Sequence, residues 1–130
     1  MANLVVAQSP EQKAANELFD AGDYCGAKEK YSTLLALNQE SAELNFRFGA
    51  CLLFTEEDKS KGLGHLQYSL KDADIDARAH YFLGKAYHLN YRFKEAIASY
   101  NKFKSAGSAK DYENLNVEQE IRMCNNGRKL

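Results

Sequence analysis

The chain has 130 residues, of which 45% are hydrophobic and 27% charged, which is the composition of an ordinary globular domain. Its 17 basic and 18 acidic residues leave a net charge of −1, so no basic excess indicates binding to nucleic acid or to an anionic membrane surface. No apolar run approaches the ~20 residues that a membrane-spanning helix needs, which argues against direct membrane insertion.

The N-terminus reads as a tail, residues 1–7, followed by a strong helix start. The apolar run 4–7 within this tail is compatible with the remnant of a signal peptide, and a plain N-terminal tail is the alternative. Ser9, Pro10 and Gln12 then predict an N-cap, a proline in the first turn and a capping-box residue.

Turn and cap residues divide the rest of the chain into helices. Gly22 supplies a left-handed helix end and Asp23 a new N-cap, and Asn90 is expected to take the left-handed role later in the chain. Further N-cap candidates are Ser41, Asp58 and Asp76. We expect helices near residues 10–21, 24–37, 42–54, 59–71, 77–89, 93–105 and 112–126.

A spaced motif in residues 77–103 is the most informative feature of the chain. It has the form L-G-x-x-Y…A-x-x-x-F, with Tyr in place of the last Phe, and its positions are held by Leu83, Gly84, Tyr87, Ala96 and Tyr100. Two weaker copies precede it, carried by Ala15, Leu18, Ala27 and Tyr31 and then by Phe48, Gly49, Leu52, Gly62 and Leu66. This pattern resembles the tetratricopeptide repeat (TPR), whose period is about 34 residues.

The resemblance implies an all-α fold, a right-handed α-solenoid of three TPR helix pairs with a C-terminal capping helix. The predicted units are residues 8–41, 42–76 and 77–110, followed by the capping helix and tail at 111–130. Small side chains at matched positions would let the two helices of each pair approach closely. These positions are Ala15, Gly49 and Gly84 on the first helices and Ala27, Gly62 and Ala96 on the second.

The capping helix is expected to be polar on its outer face, as the end of a solenoid requires. Val117, Ile121 and Cys124 form its single apolar stripe. The residues expected to face water are Glu118, Glu120, Arg122 and Lys129.

The first helices of stacked pairs line a concave face, where a partner protein could bind. The candidate partner-binding residues are Asn16, Phe19, Phe46, Ala50, Leu53, Arg78, Tyr81, Lys85 and His88, with Gln12 beside them and Gln119 and Arg122 at the rim. Phe19, Phe46 and Tyr81 are natural anchors because aromatic side chains often carry binding energy. The alternative is that these three rings belong to the core.

Neither catalysis nor a cofactor or metal is predicted. Cys25, Cys51 and Cys124 are far apart and form no CxxC pair, so we interpret them as small buried hydrophobic residues. His80 and His88 are eight residues apart and cannot chelate as an adjacent helical pair.

Some TPR domains resemble a clamp for the C-terminal carboxylate of chaperones. Asn16 and Arg78 match two positions of that clamp, whereas Gln12, Arg47 and Phe82 do not match the others, so we do not expect a chaperone clamp here.

A narrower resemblance joins residues 87–103 and 117–130 to the N-terminal TPR segment of Bacteroidota envelope proteins, OmpA-like and type IX secretion-associated. It implies a scaffold for protein binding within a larger cell-envelope protein, periplasmic or outer-membrane-associated, whose partner is another envelope component and which acts in protein secretion. The alternatives are a free-standing cytoplasmic TPR adaptor and a scaffold that self-associates.

Overall fold

The computed structural model describes residues 9–107 and 115–128, and within these residues the chain forms seven helices and no strand. The helices are α1 (Pro10–Asp20), α2 (Tyr24–Leu37), α3 (Ala42–Thr55), α4 (Leu63–Ser69), α5 (Arg78–Leu89), α6 (Phe93–Ala106) and α7 (Val117–Arg128). Each helix packs against the next one along the chain, and α3 also packs against α5. The all-α prediction is therefore confirmed, and this sequential packing is typical of a solenoid.

The N-caps predicted at Ser9, Asp23 and Ser41 form as expected. Ser9 Oγ accepts a hydrogen bond from Gln12 N at 3.1 Å, and Asp23 Oδ1 accepts one from Gly26 N at 2.9 Å. Ser41 Oγ caps α3 in the same way. Gly22 has φ of 83°, which is the left-handed conformation that its position after α1 requires.

Helix α4 differs from the prediction, because it begins at Leu63 and not near residue 59. Asp58 Oδ1 accepts hydrogen bonds from both the backbone N and the Oγ of Ser60, so its side chain stabilises a turn and does not cap a helix. Lys59 Nζ folds back to donate to the carbonyl oxygens of Leu53 and Glu56 at the end of α3. The residues just before Leu63 therefore form a turn, and Lys59 in this turn binds the carbonyl groups at the end of α3.

Two further turn predictions need correction. Asp76 Oδ1 accepts from Arg78 N, but the residue at the N-cap of α5 is Ala77. The left-handed residue after α5 is Tyr91, with φ of 61°, and not Asn90. Asn90 has φ of −100°, and its side-chain Nδ2 donates hydrogen bonds to the carbonyl oxygens of Ala86 and Lys59.

The capping helix begins later than expected, at Val117, because Leu115 and Asn116 form a turn. Ile121 and Cys124 lie on its inner side as predicted, with Cys124 fully buried. The predicted tail 1–7, the start of the capping segment at 111–114, the side chain of Val117 and Lys129 lie outside the described residues.

Small residues sit where helices approach most closely, as the repeat pattern predicted. A Cβ added to Gly62 would lie 2.6 Å from the carbonyl oxygen of Gly49, and one added to Gly84 would lie 2.6 Å from the ring of Tyr100. Ala15, Ala27 and Ala96 are fully buried at the matching positions.

The cysteines only partly follow the prediction. Cys51 and Cys124 are buried, whereas Cys25 is exposed, and all three are free thiols. Cys25 is exposed because the buried face of α2 runs through Ala27 and Tyr31, and two residues back along a helix is roughly 200° around its axis. Among the described helices, none has the length and apolarity that crossing a membrane would need.

Candidate functional site

The first helix of each pair, α1, α3 and α5, contributes an aromatic ring to one shared cluster. The ring centroids of Phe19 and Phe46 lie 6.1 Å apart, and Phe82 lies 6.0 Å from each of them. These three helices therefore share one buried aromatic cluster, and we call the side of the solenoid that they form the first-helix face. It is the surface on which the sequence placed the partner-binding candidates.

Most of those candidates are nevertheless buried. The buried ones are Asn16, Phe19, Phe46, Ala50, Leu53 and Tyr81. The rings of Phe19 and Phe46 pack on each other and on Phe82, and Tyr81 packs against Tyr100 and Phe103, both at 5.8 Å between ring centroids. The alternative interpretation of Phe19, Phe46 and Tyr81, that they belong to the core, is the one observed. Their role in partner binding stays a prediction.

Asn16 is buried with a definite partner. Its Oδ1 accepts a hydrogen bond from the hydroxyl group of Tyr31 at 2.5 Å, which joins α1 to α2. Because a buried polar group is costly without a partner, this bond accounts for an asparagine at that position by stability alone.

Two arginines lie over the aromatic cluster. The guanidinium of Arg47 is 5.1 Å from the ring centroid of Phe19 and 5.7 Å from that of Phe46, and Arg78 lies 5.9 Å from each. Arginine prefers such positions because its flat cation is attracted to the face of an aromatic ring. The predicted site residue Arg78 is thus on the first-helix face.

Three carboxylates, those of Asp20, Glu43 and Asp76, lie beside the two arginines. We call these five residues the arginine cluster. Arg47 Nε lies 2.5 Å from Glu43 Oε1, and Arg78 Nη2 lies 2.8 Å from Asp76 Oδ2. Asp20 Oδ1 sits 3.7 Å from Arg47 Nη1 and 3.8 Å from Arg78 Nη1, which is longer than a hydrogen bond. Asp20 therefore lies near both cations without forming a hydrogen bond to either.

The exposed fraction of the side chains differs widely within the arginine cluster. The side chain of Arg47 is 10% exposed, that of Arg78 25% and that of Asp20 59%. Burial opposes ionisation of Asp76, but the hydrogen bonds and charge of Arg78 outweigh it and hold the pKa of Asp76 below its usual value. The same hydrogen bond raises the pKa of Arg78. Both groups are charged at neutral pH, and Arg78 is the arginine that solvent can reach.

Sequence reasoning missed Asp20 and Arg47 as members of this site. Arg47 Nη1 is buried and makes no hydrogen bond to any described residue. The spacing of Glu43 and Arg47, four residues apart on one helix, is a signal for their ion pair. The approach of Asp20 to both arginines joins three different helices, which no local spacing reveals.

Lys85 and His88, the other candidates on α5, contact the last helix. Lys85 Nζ lies 2.9 Å from Glu120 Oε1, and His88 Nδ1 lies 3.1 Å from Glu120 Oε2. Glu120 is buried, which corrects the expectation that it faces water. Its carboxylate turns inward because these two side chains can satisfy it, so α7 covers this part of the first-helix face.

A groove lies elsewhere, between α1 and α2 at the N-terminal end of the solenoid, and the sequence did not predict it. It has a volume of ≈ 760 Å³. Its lining residues are Ser9, Glu11, Glu29, Lys30, Thr33, Leu34 and Leu37. We call it the end groove. In the described part of the chain, no group of three or more His, Cys, Asp or Glu side chains is arranged to hold a metal ion.

Similar folds occur among solved structures. SycD, the type III secretion translocator chaperone of Yersinia enterocolitica, is 14% identical, with a TM-score of 0.72 over 92% of this chain and 84% of SycD. PcrH, solved in complex with the chaperone binding region of PopD, is 15% identical, with a TM-score of 0.69 over 98% of this chain and all of PcrH (100%). SycD has also been solved with a peptide of the translocator YopD.

The protein MamA is 24% identical to the chain, with a TM-score of 0.72 over 92% of this chain and 63% of MamA. No family model matches the chain, and no curated protein matches it. At these identities the likeness is one of fold, and it shows that the chain is a TPR-like α-solenoid.

Proposed function

We propose that the chain is a non-catalytic protein-interaction module that binds a segment of a partner protein on its first-helix face, with Arg78 as the central contact. The observation that carries this proposal is the geometry of Arg78. Its guanidinium lies over two aromatic rings, is partly exposed, and directs Nη1 toward an exposed carboxylate at 3.8 Å, beyond hydrogen-bond distance. A carboxylate or carbonyl oxygen of a partner could form the hydrogen bond that Asp20 does not.

The buried rings serve this contact indirectly. Phe19 and Phe46 hold the arginine from below, so the guanidinium is fixed before the partner arrives. A fixed side chain loses little conformational freedom on binding, which favours affinity. Arginine is also among the residue types that most often dominate binding energy at interfaces.

Two structural neighbours support the proposal by example. SycD was solved with a peptide of YopD and PcrH with a region of PopD, so this fold accommodates a segment of another protein in those two cases. The proposal for the present chain extends that mode of use and assigns it to different side chains.

Site-specific photo-crosslinking in cells of the source organism tests the binding face. A photoreactive amino acid at position 20 reports on the arginine cluster, and the same amino acid at position 102 on α6 is the control, because Lys102 is exposed and outside the cluster. We expect a discrete adduct from position 20 and none from position 102. Equal capture at both positions, or capture only at 102, would overturn the proposal.

The cell-envelope setting is a further part of the proposal. It is supported by the resemblance of residues 87–103 and 117–130 to Bacteroidota envelope proteins. Fractionation of the source cells with an antibody to this chain distinguishes the settings: recovery with the periplasm or outer membrane is expected, and recovery in the cytoplasm would favour the adaptor alternative.

A further inference from the structure

Each arginine of the arginine cluster has one guanidinium nitrogen, Nη1, that makes no hydrogen bond to a described residue. Arg47 donates through Nε to Glu43, and Arg78 donates through Nε and Nη2 to Asp76. Nη1 of Arg47 is buried and has no acceptor in the part of the chain that the structure describes. Because a buried donor without an acceptor is costly, this nitrogen is suited to an acceptor that comes from another molecule.

Both Nη1 atoms lie near the same carboxylate, that of Asp20. Its Oδ1 is 3.7 Å from Arg47 Nη1 and 3.8 Å from Arg78 Nη1. These distances are about 1 Å longer than a hydrogen bond between a guanidinium and a carboxylate. A carboxylate placed between the two nitrogens at ordinary hydrogen-bond distance would bond to both arginines, which Asp20 does not.

The position of Asp20 in its own helix does not account for a carboxylate. Asp20 is the last residue of α1, where the helix dipole is negative and an acidic side chain is unfavourable. The side chain is 59% exposed and makes no hydrogen bond to any described residue. The features that favour an acidic residue here are therefore the two neighbouring arginines.

We propose that the partner segment places an aspartate or glutamate side chain between Arg47 and Arg78, and that Asp20 is an internal competitor which this side chain displaces. The inference rests on the proposed function and adds the chemistry of the contact. Charge complementarity supports it, because two fixed cations meet one carboxylate that is exposed and not hydrogen-bonded. The incoming carboxylate would also supply the acceptor that Nη1 of Arg47 lacks.

An internal competitor serves specificity. Asp20 weakens the binding of any acidic group at this place, so an isolated carboxylate binds poorly and a segment that makes further contacts binds well. Asp20 can leave without disturbing the core, since its side chain is exposed.

Titration of the full chain with a small probe tests the inference without the partner. The probe is N-acetylaspartate N-methylamide, whose only carboxylate is that of an aspartate side chain, and its asparagine counterpart is the uncharged control probe. Binding is followed at constant ionic strength through the Nε–Hε signals of Arg47 and Arg78 in NMR spectra. We expect the aspartate probe to shift both signals and the asparagine probe to shift neither.

Asp20→Asn removes the competing charge and keeps the size of the side chain. This variant should bind the aspartate probe about fivefold more tightly than the native chain, the factor that one charge interaction at about 4 Å in water gives. Glu17→Gln is the matched control, because it makes the same charge change at an exposed residue of α1 that forms no ion pair with a described residue. Its affinity should stay within about twofold of the native value.

Equal affinities in the native chain and in Asp20→Asn would overturn the inference, as would an equal gain in Glu17→Gln or an equal response to the two probes. If one of these results accompanies a discrete crosslink from position 20, the partner binds at this face without an acidic contact, and the proposed function stands. If the probe behaves as expected and no crosslink forms, the proposed function fails and the carboxylate site remains.

Discussion

Gly84 lies where α5 packs closely against the ring of Tyr100 on α6. An alanine Cβ there would lie 2.6 Å from Tyr100 Cδ1, and Tyr100 is fully buried and cannot move aside. We therefore predict that Gly84→Ala lowers the free energy of unfolding by about 1–3 kcal/mol, as overpacked cores do. Urea denaturation followed by circular dichroism measures the change.

Gly64→Ala is the matched control for that experiment. Gly64 lies in α4 with nothing within 4 Å of an added Cβ, so the methyl group meets open space. Alanine is the better helix former, and this variant should be stabilised by up to about 1 kcal/mol. A Gly84→Ala protein as stable as the native chain would contradict the close approach of α5 and α6.

Buried acidic hydroxyl and thiol groups predict a loss of stability at alkaline pH. Burial raises the pKa of Cys51 from 9.0 to about 12 and that of Tyr81 from 10.0 to about 12. Above pH 9 the unfolded chain therefore releases protons that the folded chain retains. The free energy of unfolding should fall by up to about 1.4 kcal/mol per pH unit for each group, over about pH 9 to 12 for Cys51 and about pH 10 to 12 for Tyr81.

Denaturation of the reduced protein in buffers across this range measures that slope. A free energy of unfolding that stays constant across the window would show that neither group is buried in solution as it is in the structure.

The place of a single residue in the fold was predictable where only one residue type fits that place. Gly49, Gly62 and Gly84 could be placed at helix crossings because only a missing side chain allows that distance. Whether Phe19 and Phe46 are buried could not be predicted, since their burial depends on rings that three helices bring together. The surroundings of Asp20 could not be predicted either, because its neighbours Arg47 and Arg78 are 27 and 58 residues away in the sequence.

At the scale of elements, the C-terminal end of α3 depends on one lysine. Lys59 Nζ donates to the carbonyl oxygens of Leu53 at 3.0 Å and Glu56 at 2.6 Å, groups that no helical amide can satisfy. We predict that Lys59→Met costs about 1–2 kcal/mol of unfolding free energy. Lys61→Met is the control, because Lys61 is more exposed and makes only a long ion pair with Glu56.

Thermal denaturation of both variants checks this prediction. Equal melting temperatures for Lys59→Met and Lys61→Met would show that Lys59 does not cap the helix.

The last helix carries one buried carboxylate, that of Glu120, beside the apolar side chains of Ile121 and Cys124. Glu120 pairs with Lys85 and His88 on α5, so Glu120→Gln removes the charge that both of them contact. We predict a loss of about 1–3 kcal/mol and faster hydrogen exchange of residues 119–126 than of α5. Arg122→Gln is the control, since that side chain is exposed on the same helix, and its effect should stay within about 0.5 kcal/mol.

Hydrogen exchange followed by mass spectrometry resolves the two helices. If α7 exchanges at the same rate in the native chain and in Glu120→Gln, the carboxylate does not hold it.

Helices were the most predictable elements, because apolar periodicity and caps act within one segment. The bounds of α2 were predicted as observed, and those of α1, α3, α5 and α6 to within one residue. Helix α4 was predicted too long because Asp58 reads as an N-cap in the sequence but bonds to Ser60 in a turn. The start of α7 was predicted too early because Asn116, which takes the left-handed conformation with φ of 52°, was placed inside the helix.

For the whole molecule, the core position of the predicted anchors changes how binding is tested. Phe46→Ala would empty a fully buried site and cost about 3–5 kcal/mol, so lost binding would report unfolding and not a lost contact. Tyr81→Ala has the same defect, since Tyr81 packs on Tyr100 and Phe103. A substitution at Arg78, whose side chain is 25% exposed, leaves these rings in place.

The most direct measurement is the affinity of the partner segment, once captured, for two charge-reversal variants. Arg78→Glu reverses the charge at the centre of the first-helix face, and Lys102→Glu makes the same change on exposed α6. By isothermal titration calorimetry, Arg78→Glu should bind at least about 30-fold more weakly, the weakening that a loss of about 2 kcal/mol gives, and Lys102→Glu should bind within about twofold of the native chain. Native affinity in a folded Arg78→Glu protein would contradict the account.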